Sequence, residues 1–316
     1  MTPRRALLLV GLSGLLGSGA CGGEGGWAGR SDGAGAGGGG AGVVEYGGEA
    51  PVRWHPEPDR PHRIVSLIPA ATGILAALGA ETSLVAVGQG DPSPVARSVE
   101  SVGSILTPGW ERVVALEPTL VVVWDAVDVE PLRRALPDTV LLLRERIETL
   151  EDLEQVTLHL GGVLGRSAQA QALVAGLRGG GFGLPGCARG EGGPTAAWVV
   201  SLDPIVVAGP SSWPGEVLAA AGARAVPREP ATPWPTLSAE ALAALGPELL
   251  VTAGIGEAGH ARLRRLLPAS AIVPVDGDRF HVPTLEFASL AAELSARLAT
   301  VAARPPCTDP DTTVHP

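Results

Sequence analysis

Lysine and asparagine are absent from the sequence, and aromatic residues make up only 3% of it. Without lysine there can be no Schiff-base amine, no phosphate-loop lysine and no Ser–Lys dyad. All 23 basic residues are therefore arginine; they face 33 acidic ones, and the formal charge is −10. Scattered arginines on an acidic chain do not make the basic patch that nucleic acid requires. Cysteine is scarce as well, at Cys21, Cys187 and Cys307, with no CxxC or Cys/His spacing suited to zinc. Cys187 and Cys307 can pair in an oxidising compartment, but their spacing does not require it.

The usual catalytic constellations are missing too. None of the six histidines (His55, His62, His159, His260, His281 and His315) stands in an HExxH pattern, and there is no GxSxG elbow. The glycine runs do not sit at a strand-turn-helix GxGxxG. The acid pairs Glu145 with Glu148 and Glu151 with Asp152 lie near helix starts, where helix polarity and solvation account for them. No catalytic residue, metal site or cofactor is expected.

What is present begins with an export pattern. Arg4 and Arg5 precede an apolar run from Ala6 to Leu16, then small residues Gly17 to Ala20, then Cys21. That is the order of a secretory signal; the run is shorter than the roughly 20 residues of a membrane span. Cys21 after small residues has the setting of a lipidated mature N-terminus, although Ser18 stands where such signals usually carry leucine. Residues 1–20 are therefore expected to be a signal peptide and 21–60 a lipid-anchored, flexible, Gly- and Pro-rich tether carrying Trp27 and Trp54. The protein would be exported to the periplasm or cell envelope, touching the membrane through its lipid alone.

The remaining length is enough for two domains with proper cores. From residue 62 strand-like and helix-like segments alternate. Strands are expected at 62–67, 84–87, 120–123 and 140–143, with helices from Pro69 to Leu78, 111–116 and 129–136. The continuous β-branched run Leu120-Val121-Val122-Val123 suits a strand covered on both faces. Residues 149–179 read as helix throughout, with a kink at Gly161-Gly162 and Gly165. Alternation then resumes, with strands at 196–202, 205–207, 249–251 and 272–273 and helices at 216–221, 239–245, 258–267 and 284–302. The fold class expected is α/β: an N-terminal lobe (62–147) and a C-terminal lobe (195–304), both Rossmann-like, joined by a connecting backbone helix (148–182), with a ligand cleft between the lobes and a tail at 305–316.

The two halves echo one another. "ERVVALEPTLVVVW" from Glu111 aligns without gaps to "EALAALGPELLVTA" from Glu240, and "ILAALGA" from Ile74 echoes "VLAAAGA" from Val217. The aromatic residues fall at informative places. Trp124 ends the strongest strand of the first lobe, Trp110 opens the helix before it, and Trp234 lies rigidly between Pro233 and Pro235 in the second lobe. Such rings would bury a large area of a flat apolar ligand. Trp198, within a strand, is expected in the core, while Trp213 has no assignment.

Residues 62–304 resemble the helical-backbone, periplasmic-binding-protein-like receptors of ABC transporters, which bind cobalamin, haem and ferric siderophores. The segments that carry the resemblance are "RIVSLIPAATGILAALGA", "WERVVALEPTLVVVW", "LGGVLGRSAQAQALVAGL", "DPIVVAGPSSWPGEVLAAAGA" and "LSAEALAALGPELLV". Within the family the cobalamin-binding branch is the most similar. The resemblance implies ligand contacts from Trp124, Trp234, Asp278 and Phe280, with Gln89 and Trp110 joining them. It implies that Glu111 and Glu240, one per lobe, dock on a permease of an ABC permease–ATPase complex. A monomer that captures a corrinoid is the expectation. The shell departs from that branch at Gly88-Gln89-Gly90, where the branch has a tyrosine, and near Val282, where it has an arginine. Its tryptophan before the "ER" helix has no direct counterpart, and two of its cysteines are replaced at Ala221 and Ser295. A ferric-siderophore or haem receptor of the same fold is the alternative, and an envelope enzyme or scaffold reusing the fold is the alternative of another class. A siderophore receptor would gather arginines such as Arg228 and Arg279.

Overall fold

A computed structural model describes residues 62–137, 139–179, 193–228 and 232–301, together with a strand at 44–46. The expectations for the signal segment, Cys21, Trp27, Trp54, Cys187, Cys307 and the tail fall outside these residues.

The first lobe opens with β1 (Val44–Tyr46) and β2 (Ile64–Ser66), followed by α1 (Pro69–Ala77), β3 (Leu84–Val87) and β4 (Glu100–Ser101). Then come α2 (Trp110–Ala115), β5 (Leu120–Trp124), α3 (Glu130–Ala135) and β6 (Leu141–Glu145). Their order is β1-β6-β5-β2-β3-β4, and every pair is parallel. The strand β1 corrects the sequence reading: part of the expected tether pairs with β6 and covers what would be an open sheet edge.

The connector is two helices, α4 (Leu150–Val163) and α5 (Ser167–Gly179), not one. Thr149 and Asp152 close a capping box at the start of α4. The kink expected at the glycines is a full stop. Gly165 has φ +67°, the Gly165 N–H reaches the Gly162 carbonyl at 3.2 Å, and the Arg166 N–H reaches the Gly161 carbonyl at 2.6 Å. This is the paired bonding of a Schellman motif, which satisfies the last carbonyls and ends the helix.

The second lobe contains β7 (Thr195–Leu202), β8 (Ile205–Ala208), α6 (Trp213–Ala220), β9 (Arg224–Ala225), β10 (Thr236–Leu237) and α7 (Ala239–Leu245). It continues with β11 (Leu249–Ala253), α8 (Glu257–Leu266), β12 (Ala271–Val275), α9 (Gly277–Phe280) and α10 (Phe287–Val301). Its sheet runs β10-β8-β7-β11-β12, with β9 parallel to β7. The parallel strands β12-β11-β7-β9 repeat the order β6-β5-β2-β3 of the first lobe, and the antiparallel hairpin to β8 is an insertion before α6.

Strand alternation divides the interior into layers. In β5, Leu120 and Val122 face one core while Val121 and Val123 face another. In β7, Ala196, Trp198 and Val200 share the first of these cores, and Ala197 and Val199 face a third. One core therefore runs through both lobes, filled by α1, α4, α6 and α10. The outer faces are covered by Val113 of α2 and Leu132 of α3 on the first sheet, and by Leu242 of α7 and Leu263 of α8 on the second. The sequence echoes occupy matching places: α1 and α6 lie on the shared core, α2 and α7 on the outer faces. Among the described residues no helix is long and apolar enough to cross a membrane.

Candidate functional site at the lobe junction

Parallel sheets offer ligands the crevice beyond the carboxyl ends of their strands. In the first lobe that edge carries Gln89 after β3, Trp124 and Asp125 at β5, and Glu145 and Arg146 at β6. Trp124 and Glu145 are directly paired across the strands, and the Asp125 N–H donates to the Glu145 carbonyl at 3.1 Å. Trp124 is half-buried and packs against both cores that flank its sheet. Arg144 donates to the Asp125 carbonyl, and Arg146 donates to Asp125 Oδ2 at 2.9 Å. The second carboxylate oxygen of Asp125 is buried without a partner.

The strip continues into the second lobe. Glu148, between β6 and α4, is half-buried, and its carbonyl accepts from the backbone N–H of Trp213 at 2.6 Å, at the start of α6. Burial pushes the Glu148 carboxyl above the usual glutamate range; Arg146 opposes that rise, while Asp152 and Asp125 add to it. Trp234 is half-buried and packs on the shared core, as Trp124 does. The pair Asp125–Arg146 and the Glu148 main chain therefore lie at the lobe junction, beside the start of α6. Trp234 is held at the sheet edge because the carbonyls of Pro233 and Pro235 accept from Gly209 at 2.8 Å and Val207 at 3.1 Å. Gly209 must be glycine there, since a Cβ would overlap the Thr232 carbonyl oxygen.

The other expected contacts fall in different places. Gln89 and Asp278 are exposed at the carboxyl ends of β3 and β12, open to solvent. Trp110 is half-buried but packs on the outer-face core, away from the shared one. Phe280 is fully buried, lies 6.0 Å from Trp198 ring to ring, and its carbonyl accepts the Trp213 indole at 3.1 Å. It is a packing residue in this conformation. Trp198 is in the core as expected, and Trp213 joins it there. Glu111 and Glu240 are exposed in the first turns of α2 and α7, on the matching outer helices. The Glu240 carboxyl is held below its usual range by its own backbone N–H and by Ser238.

Sequence reasoning mistook two acids for solvated helix starters. Glu145 is buried and contacts His159 Nδ1 at 3.2 Å, and Glu148 is half-buried, with its main chain bonded to Asp152 and Trp213. Their place after a strand of β-branched and leucine residues, at a sheet edge, was the only available signal. His281 was also missed. Its Nε2 faces the Trp198 indole N–H at 3.3 Å, and burial lowers its pKa to about 4, so it is neutral at neutral pH. Arg279 is engaged by Glu293 at 2.7 Å and by Glu286 at 4.0 Å. No cluster of three or more metal-ligating side chains occurs among the described residues.

Four likenesses, one to a family and three to known proteins, bear on this geometry. The profile of the family described as periplasmic binding protein matches residues 64–265. A vitamin B12-binding protein of Vibrio parahaemolyticus is 28% identical over 192 residues, which is 60% of this chain and 70% of that protein. Among solved structures, a periplasmic haem-binding protein of Pseudomonas aeruginosa is 25% identical with a TM-score of 0.64, covering 78% of this chain and 97% of its own. The periplasmic vitamin B12 binding protein of Vibrio cholerae is 21% identical with a TM-score of 0.58, covering 76% and 97%.

Proposed function

Because the chain belongs to the periplasmic binding protein family, we propose that it is the extracytoplasmic solute-binding protein of an ABC importer and that it captures cobalamin or a related corrinoid. The observation that carries this is the pair of half-buried tryptophans, Trp124 and Trp234, one per lobe, set on the same core on either side of the junction. Their faces supply flat apolar area for a macrocycle. Gln89 and Asp278, both exposed at strand ends, would serve its peripheral amides. The vitamin B12-binding relative supports the same ligand class. Cys21 would anchor the protein to the envelope membrane, and Glu111 and Glu240 would dock it on the permease–ATPase complex as a monomer. Binding and delivery need no catalytic residue, metal or cofactor.

A haem reading is favoured by the haem-binding structural neighbour. Haem needs an axial iron ligand, and His281, the described histidine next to the β12 strand end, has its Nε2 engaged by Trp198. A siderophore reading needs free arginines for an anionic ligand, and Arg146 and Arg279 are both engaged by carboxylates.

Titration of the purified protein with cyanocobalamin and, separately, with hemin distinguishes these readings. The corrinoid reading expects a shift of the cobalamin spectrum and a loss of affinity of about tenfold or more in Trp234→Ala, as removal of a large buried contact implies. Hemin binding more tightly than cyanocobalamin, or a Trp234→Ala variant that binds cyanocobalamin as well as the parent, would overturn it.

A further inference from the structure

The ladder between β5 and β6 ends in an ion pair. Trp124 and Glu145 are partners across the strands, and one residue on, Asp125 and Arg146 meet through their side chains. The main chain of Asp125 is held in place: its N–H donates to the Glu145 carbonyl at 3.1 Å, and its own carbonyl accepts from Arg144. Asp125 therefore follows Trp124 at the carboxyl edge of the first sheet, where an α/β lobe meets its ligand.

The pair is lopsided. An arginine fork and a carboxylate frequently meet in two parallel bonds, one to each oxygen. Here Arg146 sends both Nε, at 2.9 Å, and Nη2, at 2.8 Å, to Oδ2 alone. Oδ1 is buried without a partner. Such an oxygen loses its water and gains no bond in return, which a pair serving stability alone would avoid. Two further buried oxygens without partners, Asp91 Oδ2 and Ser93 Oγ, lie beyond the end of β3 on the same edge. The Asp125 side chain is still 30% exposed, and that of Arg146 is 58% exposed. A carboxylate torsion is broad, so a small turn brings Oδ1 to the crevice, while Arg146 Nη1 takes no part in the pair.

Asp125 and Arg146 thus offer one acceptor and one donor side by side. A carboxamide has the matching set, since its N–H donates and its C=O accepts. A carboxylate does not, because it only accepts. Three acids, Asp125, Glu148 and Asp152, already act on Arg146, so a further carboxylate would also meet repulsion.

We propose that Asp125 and Arg146 form a specificity site for a carboxamide of the ligand, with Oδ1 accepting the amide N–H and Nη1 donating to the amide carbonyl. This rests on the corrinoid reading and sharpens it: a corrinoid carries peripheral carboxamides, whereas haem carries carboxylates. Trp124 supplies area to any flat macrocycle, and the pair beside it selects the one that bears amides.

Calorimetry on the full chain tests this with cyanocobalamin and its three separated monocarboxylic acids, in each of which a carboxylate replaces one peripheral propionamide. One of the three is expected to bind the parent about tenfold or more weakly than cyanocobalamin, the size of a lost hydrogen bond to a charged group. Asp125→Asn keeps the shape, removes the charge and supplies an N–H, so it should close the gap for that isomer to within about threefold. Arg146→Gln should weaken cyanocobalamin binding without closing the gap. A pair that only holds the sheet edge together would instead cost all four probes equally in both variants. The proposal is overturned if the parent binds all four alike, or if Asp125→Asn keeps the gap, while Trp234→Ala still weakens cyanocobalamin binding. A parent that does not bind cyanocobalamin would remove the corrinoid reading itself, and the carboxamide site with it, which separates the two failures.

Discussion

At the scale of single residues, burial decides which form a titratable group takes. His281 sits beside Trp198 and Phe280, and burial brings its pKa to about 4 from 6.5. Between those two values the unfolded chain binds a proton that the folded chain refuses. Stability must therefore fall as pH drops from about 6.5 to 4 and level off below, by about 3 kcal/mol over the whole window. His281→Gln, whose amide oxygen can still accept from the Trp198 indole, should flatten this dependence in urea unfolding followed between pH 4 and 7. An unchanged slope would mean that the imidazole is not the group responsible. The fate of His281 was not legible in the sequence, because burial there is made by β7 and α9, which are 83 residues apart at their contact. Glu145 was misjudged for the same reason: its partner His159 comes from the packing of α4 against β6. The strand end carrying Trp124 was legible, because five apolar residues in a row mark a strand with both faces covered, and the first residue to escape the core stands at its end.

At the scale of elements, local signals were the strongest guide. Pro69 opens α1 and Gly79, at φ +72°, lies just beyond its end, where the sequence placed the stop. The connector shows the limit. Its three glycines look alike in sequence, but each does something different. Gly165 needs a positive φ. Gly161 is glycine because a Cβ would collide with that of Ala170, and Gly162 faces open space. Gly165→Ala should therefore cost about 1–2 kcal/mol, the penalty of a left-handed backbone with a Cβ. Gly162→Ala should stabilise by about 0.5–1 kcal/mol through helix propensity. Chemical denaturation of the two variants checks both signs, and equal effects would mean that the helix does not end in the Schellman motif. The single helix expected over residues 149–179 failed because hydrophobic periodicity passes smoothly across a break that backbone conformation imposes.

At the scale of the whole molecule, the connector is tied at both ends. Glu216 of the second lobe accepts from Leu150 at the start of α4. Past the break, Arg166 donates to the Leu78 carbonyl and Gln169 donates to the Ala77 carbonyl at 2.9 Å, at the end of α1 in the first lobe. A shared core and a strut held by both lobes favour small closure on a ligand over a wide hinge. The internal repeat then places Glu111 and Glu240 on equivalent outer helices, as a docking role demands. Glu111→Arg with Glu240→Arg should leave cyanocobalamin binding unchanged, since both side chains are exposed, and should lower the unfolding midpoint only slightly, since each replaces a first-turn acid by a cation. The pair should abolish uptake in vesicles containing the permease and ATPase, and uptake at the parent rate would remove the docking assignment.

The sequence by itself determined the α/β alternation, the two related lobes, the places where α1 and α7 stop and start, and the tryptophans at the strand end and between the prolines. These follow from periodicity, capping and turn chemistry, which act over a few residues. Only the tertiary structure decided that Phe280 and Trp213 are core, that residues 44–46 pair with β6 as an edge strand, and that the Glu148 carbonyl meets the Trp213 N–H across the lobes. Each of these depends on groups far apart in the chain, whose burial and pairing exist only once the lobes have packed on their shared core.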